Sequence, residues 1–260
     1  MARVGKGNAM RHFENPPWYP GINSANTISE FMPTDTEESF NKLCQVPEYL
    51  EYFRQQGWLE PGAITYKINS HGFRSDEIDD RDCMIALGCS FTIGIGLPVE
   101  STWPQIVGKQ LGLVPYTMAW GGISADTCFR LAEYWVPQLA PKAVFMLTPP
   151  PSRFELIRAT GYPPIENYMP QSESRSASEI DSFLKHWHTM DENARLNQKK
   201  NKLAIRAICA ELSIPFFAYN AFDHMAMSRE EIGYARDRLH GGPGGHTRLA
   251  ERMLNDYSKK

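Results

Sequence analysis

Three side chains in this sequence are of the types that act together in nucleophilic catalysis: Ser90, Asp237 and His240. Ser90 lies in the segment Gly-Cys-Ser-Phe-Thr, directly after a short apolar run. A serine hydroxyl is a poor nucleophile until a neighbouring base takes its proton. Asp237 precedes His240 by three positions, ahead of a glycine-rich turn. On a tight loop this spacing lets the carboxylate reach Nδ1 of the imidazole, which leaves Nε2 to accept a serine proton.

Other residues are candidates to complete this catalytic set or to replace one of its members. Gly122, in Ala-Trp-Gly-Gly-Ile-Ser, is a candidate second oxyanion donor beside the backbone N–H of Ser90. Cys89 is an alternative nucleophile, although adjacent residues at a strand end point to opposite sides. His246 is interpreted as structural and is the alternative base. Each motif also has a plainer explanation, since a serine can end a strand and glycines also make turns.

The strands and helices that would position these residues are predicted from an alternating pattern along the sequence. Continuous apolar runs are typical of strands buried in a parallel sheet, and helical spacing lies between them. The predicted strands cover 83–88, 114–120, 142–148 and 214–220, and the predicted helices cover 37–56 with a break at Pro47, 100–111, a segment capped by Ser124 or Asp126, 191–212 and 245–257. The pattern predicts an α/β fold, a flavodoxin-like doubly wound parallel sheet in three α/β/α layers. The carboxyl ends of its strands would bring the three motifs to one edge.

Two regions fall outside this alternation. Residues 1–67 are predicted to form an irregular, partly helical N-terminal extension, and 68–260 the α/β domain. Residues 149–188 are rich in proline and polar residues and form a candidate lid or insertion at the carboxyl edge. Their aromatic side chains would serve as packing or as a sugar-binding wall; they are Phe154, Tyr162, Tyr168, Phe183 and Trp187.

Composition excludes several classes of protein. The chain has 260 residues, a formal net charge of −3 and a pI near 6.2, so no basic footprint for nucleic acid or an anionic membrane is present. No apolar run is long enough to span a bilayer, and the first residues lack the apolar core of a signal peptide. Five scattered cysteines without zinc-site spacing indicate reduced thiols and no metal. We therefore expect a cytoplasmic protein, or a virion protein if a phage encodes it.

Taken together, the motifs resemble the SGNH (GDSL-like) hydrolase superfamily. The resemblance covers about residues 68–257 and includes Asn-Ser-His-Gly-Phe-Arg-Ser-Asp-Glu-Ile at 69–78, which is similar to the lead-in of bacterial and phage members. It implies Ser90 as nucleophile, the N–H groups of Ser90 and Gly122 in the oxyanion hole, and Asp237 and His240 as the remaining pair. It also implies hydrolysis of esters, including acetylated sugars and lipids, with no metal or organic cofactor.

The sequence departs from that family at two places. Cys89 stands where the family usually has Asp. This difference is tolerable, because the acid of the triad would come from the Asp237–His240 pair and not from this position. After the third strand, where the family has a motif with an oxyanion Asn, this sequence reads Leu-Thr-Pro-Pro-Pro-Ser-Arg-Phe-Glu, a segment that contains no Asn. We call this segment the third block. Either Thr148 or Arg153 substitutes, or the enzyme is slow, or the site is vestigial, because one lost donor typically costs about 10²–10³ in turnover. Arg153 is also a candidate for binding an anionic substrate group, with a salt bridge to Glu155 or another surface carboxylate as the alternative.

Three functions remain open at this point. The first is a serine esterase acting on a small-molecule or carbohydrate ester. The second is a catalytically weak or inactive binding or structural protein, such as a phage virion protein that contacts polysaccharide, as a homo-oligomer or within a virion. The third, a nucleotide-binding domain, is disfavoured because Gly-Cys-Ser-Phe-Thr-Ile-Gly-Ile-Gly matches neither a P-loop nor GxGxxG.

Overall fold

The structure is a computed structural model that describes Glu14 and residues 16–157, 165–168, 191–221 and 233–260. Among the aromatic residues of the candidate lid, Tyr162, Phe183 and Trp187 lie outside the described residues, so the lid stays a prediction. The elements are, in chain order, β1 (Ile28–Ser29), α1 (Glu37–Leu43), α2 (Pro47–Gln55), β2 (Tyr66–Lys67), β3 (Cys83–Gly88), α3 (Ser90–Ile93), α4 (Trp103–Leu111), β4 (Val114–Ala119), α5 (Ala125–Leu139), β5 (Ala143–Thr148), β6 (Phe154–Ile157), β7 (Ile165–Tyr168), α6 (Asp191–Glu211), β8 (Phe216–Asn220) and α7 (Pro243–Tyr257).

Four parallel strands form the central sheet in the order β4-β3-β5-β8. The first strand of the sheet lies between the second and the third, which is the flavodoxin-like order. Alternate side chains of each strand point to opposite faces, and both faces are buried. Helices α5 and α6 cover one face, while α4 and α7 cover the other. The predicted three-layer α/β fold is confirmed.

Local signals explain where the helices begin. Ser124 caps α5, because its hydroxyl accepts from the backbone N–H groups of Asp126 and Thr127. Pro47 begins α2 and separates it from α1, as predicted, since proline is tolerated at a first helical position. Pro104 likewise falls in the first turn of α4, which begins at Trp103, later than the prediction from residue 100.

The described part of the N-terminal region, from residue 16 onward, contains short regular elements besides α1 and α2. It contains a 3-10 turn at Pro20–Ser24, and its strand β1 pairs antiparallel with β2. A third hydrophobic cluster joins this region to the loop after β3, and it consists of Met32, Phe53, Trp58, Ile64, Tyr66, Ile68, Ile93, Ile95, Leu97, Ala119 and Ala235. The division of the chain at residue 67 stays a prediction. The described residues on both sides of it share this core.

A short antiparallel hairpin, β6–β7, lies inside the segment that the sequence marks as an excursion. Alternation of strand and helix gives no indication of it, because each strand has only four residues. Its Phe154 is buried against the fold.

Candidate active site

Ser90 stands at the first position of α3, directly beyond the carboxyl end of β3. The capping position of this helix is occupied by Cys89, so helix capping does not explain Ser90. The N–H of a first helical residue has no partner inside its helix, which leaves that of Ser90 available to a ligand. Cys89 is fully buried in the core against the sheet, whereas Ser90 keeps 6% of its surface exposed. This burial argues against Cys89 as the nucleophile.

Arg74 holds the segment after Ser90, residues 91–97 (the serine loop), through hydrogen bonds to its backbone. The guanidinium donates to the carbonyl oxygens of Ile93, Gly94 and Leu97 at 2.7–3.0 Å, and also to that of Thr65. Burial lowers the pKa of Arg74 to about 10, so it stays charged at neutral pH. Arg74 belongs to the segment 69–78 that is part of the resemblance to SGNH hydrolases, yet the sequence assigns it no role. It fixes the path of the backbone just after the serine.

Asp237 and His240 meet on the loop before α7. Nδ1 of His240 lies 2.6 Å from Oδ2 of Asp237, and the second carboxylate oxygen accepts from the N–H groups of Leu239 and His240. Burial of the carboxylate opposes its ionisation, but the hydrogen bond and the electrostatic interaction with His240, together with the hydrogen bonds from Leu239 and Thr34, outweigh that effect and lower the pKa of Asp237. Arg238 takes a left-handed conformation, φ +59°, which turns the chain between the two residues. The geometry fixes Nδ1 as the nitrogen that faces the carboxylate.

The serine loop packs directly against the loop before α7 that carries Asp237 and His240, residues 233–242 (the histidine loop). The ring of His240 contacts that of Phe91, the residue after Ser90, with centroids 4.8 Å apart. The N–H of Arg236 donates to the carbonyl of Gly96 at 2.8 Å. Among the described residues, no hydrogen bond joins Ser90 Oγ to His240 Nε2. Such bonds are often long in unliganded enzymes and tighten when substrate binds.

Gly122 lies in the turn after β4, next to the same loop. Its φ is +80°, a conformation that glycine adopts without steric cost. The preceding glycine faces Ile95 of the serine loop, because a Cβ there would lie 3.6 Å from its Cδ1. Gly88 and Ala119 pair at the ends of β3 and β4, so both turns leave the sheet at the same level. Within the described chain, the N–H of Gly122 donates to no backbone carbonyl.

The third block contributes two residues of interest, Thr148 at the end of β5 and Arg153 in the loop that follows. Thr148 is 2% exposed, and its hydroxyl is buried without a hydrogen-bond partner. Arg153 follows in the next loop, and its Nη1 is also buried without a partner. Glu155 pairs with Arg130 at 2.7 Å, and no described salt bridge joins it to Arg153; the pairing of Arg153 with another surface carboxylate stays a prediction. No described contact joins Thr148 or Arg153 to Ser90.

His246 is fully buried in the first turn of α7. Its Nδ1 accepts the N–H of Trp103 at 3.0 Å, which caps the start of α4. Burial, with electrostatic contributions from His240 and Arg74, lowers the pKa of His246 to about 3. This histidine is therefore neutral and structural, as the sequence interpretation expects, and it is not the base.

Several contacts from the N-terminal region reach the histidine loop, and the sequence predicts none of them; two of these contacts lie at or beside Asp237. The hydroxyl of Thr34 donates to Asp237 Oδ2 at 2.9 Å. Asp35 forms a buried ion pair with Arg236 at 2.8 Å. Both join residues about 200 positions apart, so no local spacing could have indicated them.

Among the described residues, no cluster of His, Cys, Asp or Glu has the arrangement of a metal site. In the same part of the chain, no helix is long and apolar enough to cross a membrane.

Comparison with known proteins adds context to this geometry. No protein-family model matches the sequence, and no curated protein matches it. The solved structures similar to the chain include esterases and lipolytic proteins of the G-D-S-L family.

Three of these structures illustrate the range. The psychrotrophic esterase EstA from Pseudoalteromonas sp. is 11% identical, with a TM-score of 0.37 over 68% of this chain and 97% of the esterase. A family two carbohydrate esterase from Clostridium thermocellum, in complex with cellohexaose, is 12% identical, with a TM-score of 0.37 over 68% of this chain and 64% of that one. A G-D-S-L lipolytic protein from Desulfitobacterium hafniense is 16% identical, with a TM-score of 0.33 over 65% and 95%.

Proposed function

We propose that the protein is a serine esterase in which Ser90 is the nucleophile, His240 the general base and Asp237 its partner. The observation that carries this proposal is the 2.6 Å contact between His240 and Asp237, on a ring that packs against the residue next to Ser90. The contact occupies Nδ1 and leaves Nε2 for proton transfer. The sequence motifs that resemble SGNH hydrolases contain the same residues.

In the proposed reaction, Ser90 Oγ attacks the ester carbonyl carbon while His240 Nε2 takes the hydroxyl proton. The carbonyl oxygen becomes an oxyanion, which the N–H groups of Ser90 and Gly122 stabilise. When the tetrahedral intermediate collapses, the bond to the alcohol oxygen breaks and His240 returns the proton to that oxygen. A water molecule then attacks the acyl-serine while His240 takes its proton; the bond to Ser90 Oγ breaks, His240 returns the proton to Oγ, and the carboxylic acid leaves. The carboxylate of Asp237 stabilises the imidazolium at each step.

Thr148 is the candidate for the third oxyanion donor, since its buried hydroxyl has no other partner. Arg153 is the candidate for binding an anionic group of the substrate. For substrates, we propose carboxylic esters, including O-acetylated carbohydrates, as the resemblance to SGNH hydrolases implies. These finer assignments depend on the activity itself and are tested after it.

The test is hydrolysis of p-nitrophenyl acetate by the wild-type protein and by Ser90→Ala, with a fluorophosphonate probe as a second readout. We expect the substitution to abolish labelling and to lower kcat by about 10³-fold or more. Cys89→Ala is the matched control, because it removes the neighbouring nucleophilic atom. It should keep both activity and labelling. Equal rates for the wild type and Ser90→Ala would refute the proposal.

One observation favours the alternative of a weak or inactive protein that binds its ligand without turnover. The third block has no Asn, and the Thr148 hydroxyl that stands near that position is not open to solvent. A folded protein that resists the fluorophosphonate probe at Ser90 would support this alternative. Retained binding of acetylated oligosaccharides by Ser90→Ala, measured by calorimetry, would then identify the ligand.

A further inference from the structure

Thr34 has a backbone conformation that its residue type disfavours. It follows Pro33 in a two-residue turn between Met32 and Asp35, whose backbones form a bridge with the N–H of Met32 donating to the Asp35 carbonyl at 3.0 Å. The φ of Thr34 is +77°. A turn of this kind accepts glycine or asparagine at that position, whereas a β-branched side chain is strained there. Strain of this kind persists only where the surrounding structure holds it, and it is concentrated at functional sites.

The hydroxyl of Thr34 has a specific partner. Oγ1 donates at 2.9 Å to Asp237 Oδ2, the oxygen that also faces Nδ1 of His240 at 2.6 Å. The other oxygen is occupied by two backbone N–H groups. The side chain of Asp237 is 0% exposed, so these four groups supply its hydrogen bonds. Thr34 therefore occupies the second acceptor direction of Oδ2 and leaves the first to the histidine.

Neighbouring residues hold Thr34 in place. Asp35, the next residue, forms an ion pair with Arg236, the residue before Asp237; both side chains are at most 4% exposed. The hydroxyl of Tyr66 donates to the same Asp35 carboxylate at 2.5 Å and accepts the N–H of Gly96, in the serine loop, at 2.7 Å. The turn is thus fastened to the histidine loop and to the serine loop by buried contacts.

We propose that Thr34 is a positioning residue for the Asp237–His240 pair, supplied by the N-terminal region. Its hydroxyl fixes the plane of the Asp237 carboxylate, so that Oδ2 stays aimed at Nδ1 of His240. The strained backbone is retained because it is the conformation that brings Oγ1 to this oxygen. The proposal rests on the proposed function for its catalytic meaning, but the geometry it asserts can be measured without catalysis.

The test uses Thr34→Val, which keeps the shape and the β-branch and removes only the hydroxyl, beside Thr34→Ser, which keeps the hydroxyl. The first readout is the Nδ1 proton of His240 in the ¹H NMR spectrum of the full-length protein with ¹⁵N-labelled histidine, assigned by its loss in His240→Gln. The second readout is the rate of fluorophosphonate labelling. We expect Thr34→Val to broaden or shift the resonance and to slow labelling about ten-fold, and Thr34→Ser to restore both.

Thr27→Val is the matched control, because Thr27 lies in the same region and its hydroxyl donates to the Ser24 carbonyl, not to the site. It should leave both readouts unchanged. If Thr34→Val does not fold, Thr34→Gly removes the hydroxyl without the backbone strain and should give the same NMR change. A wild-type resonance in the folded variant without a hydroxyl, or equal effects of Thr34→Val and Thr34→Ser, would overturn the proposal. A wild-type protein that is not labelled would refute the proposed function alone, and the NMR result would still decide the role of Thr34.

Discussion

The buried histidine of α7 should make the protein sensitive to mild acid. In the folded state the pKa of His246 is lowered to about 3, whereas an unfolded histidine has a pKa near 6.5. Below about pH 6.5 the unfolded chain therefore binds a proton that the folded protein does not. The stability that neutral His246 contributes is present above pH 6.5 and is lost as the pH falls toward 3.

The size of the effect follows from the shift. One pKa unit corresponds to about 1.4 kcal/mol, so the free energy of unfolding should fall by about 3 kcal/mol between pH 7.5 and 4.5 through this residue alone. His71, whose pKa burial also lowers, acts in the same direction over the same range. A difference between two variants that both retain His71 isolates the contribution of His246.

The comparison is between the wild type and His246→Asn. The amide oxygen of asparagine can accept the Trp103 N–H that Nδ1 accepts, and it does not titrate in this range. Urea unfolding followed by circular dichroism at steps from pH 7.5 to 4.5 measures both stabilities. The wild type should lose about 3 kcal/mol more than the variant across this range. Parallel curves would refute the reasoning, because they would mean that His246 is protonated in the folded protein or exposed to solvent.

Two further predictions concern the loops around Ser90. Arg74→Met should lower the free energy of unfolding by about 3 kcal/mol or more, since it leaves buried carbonyl groups of the serine loop without donors; an unchanged urea midpoint would contradict this. Gly122→Ala should lower kcat by about ten-fold or more with a smaller effect on KM, because φ +80° strains alanine and displaces the N–H. Gly112→Ala, with φ +67° and open space around it, is the control, and its kcat should not change.

Much of the fold was predictable because its signals are local. The apolar run 83–88 is a strand whose ends are Cys83 and Gly88, since a run of that length buried on both faces favours a strand. The cap at Ser124 and the break at Pro47 depend on the chemistry of single residues. The hairpin β6–β7 was missed because four-residue strands show too few alternations to be distinguished from a loop.

In the candidate site, too, contacts between residues close in sequence were predictable and contacts between distant segments were not. The pair Asp237 and His240 could be predicted from the sequence, because a contact across three positions needs only one tight turn. It could not indicate Thr34, whose hydroxyl meets Asp237 across 203 positions, nor the four carbonyl groups around Arg74. Local spacing encodes neither contact, since each depends on how separate segments pack. The groups that surround and orient the Asp237–His240 pair are therefore visible only once the chain is folded.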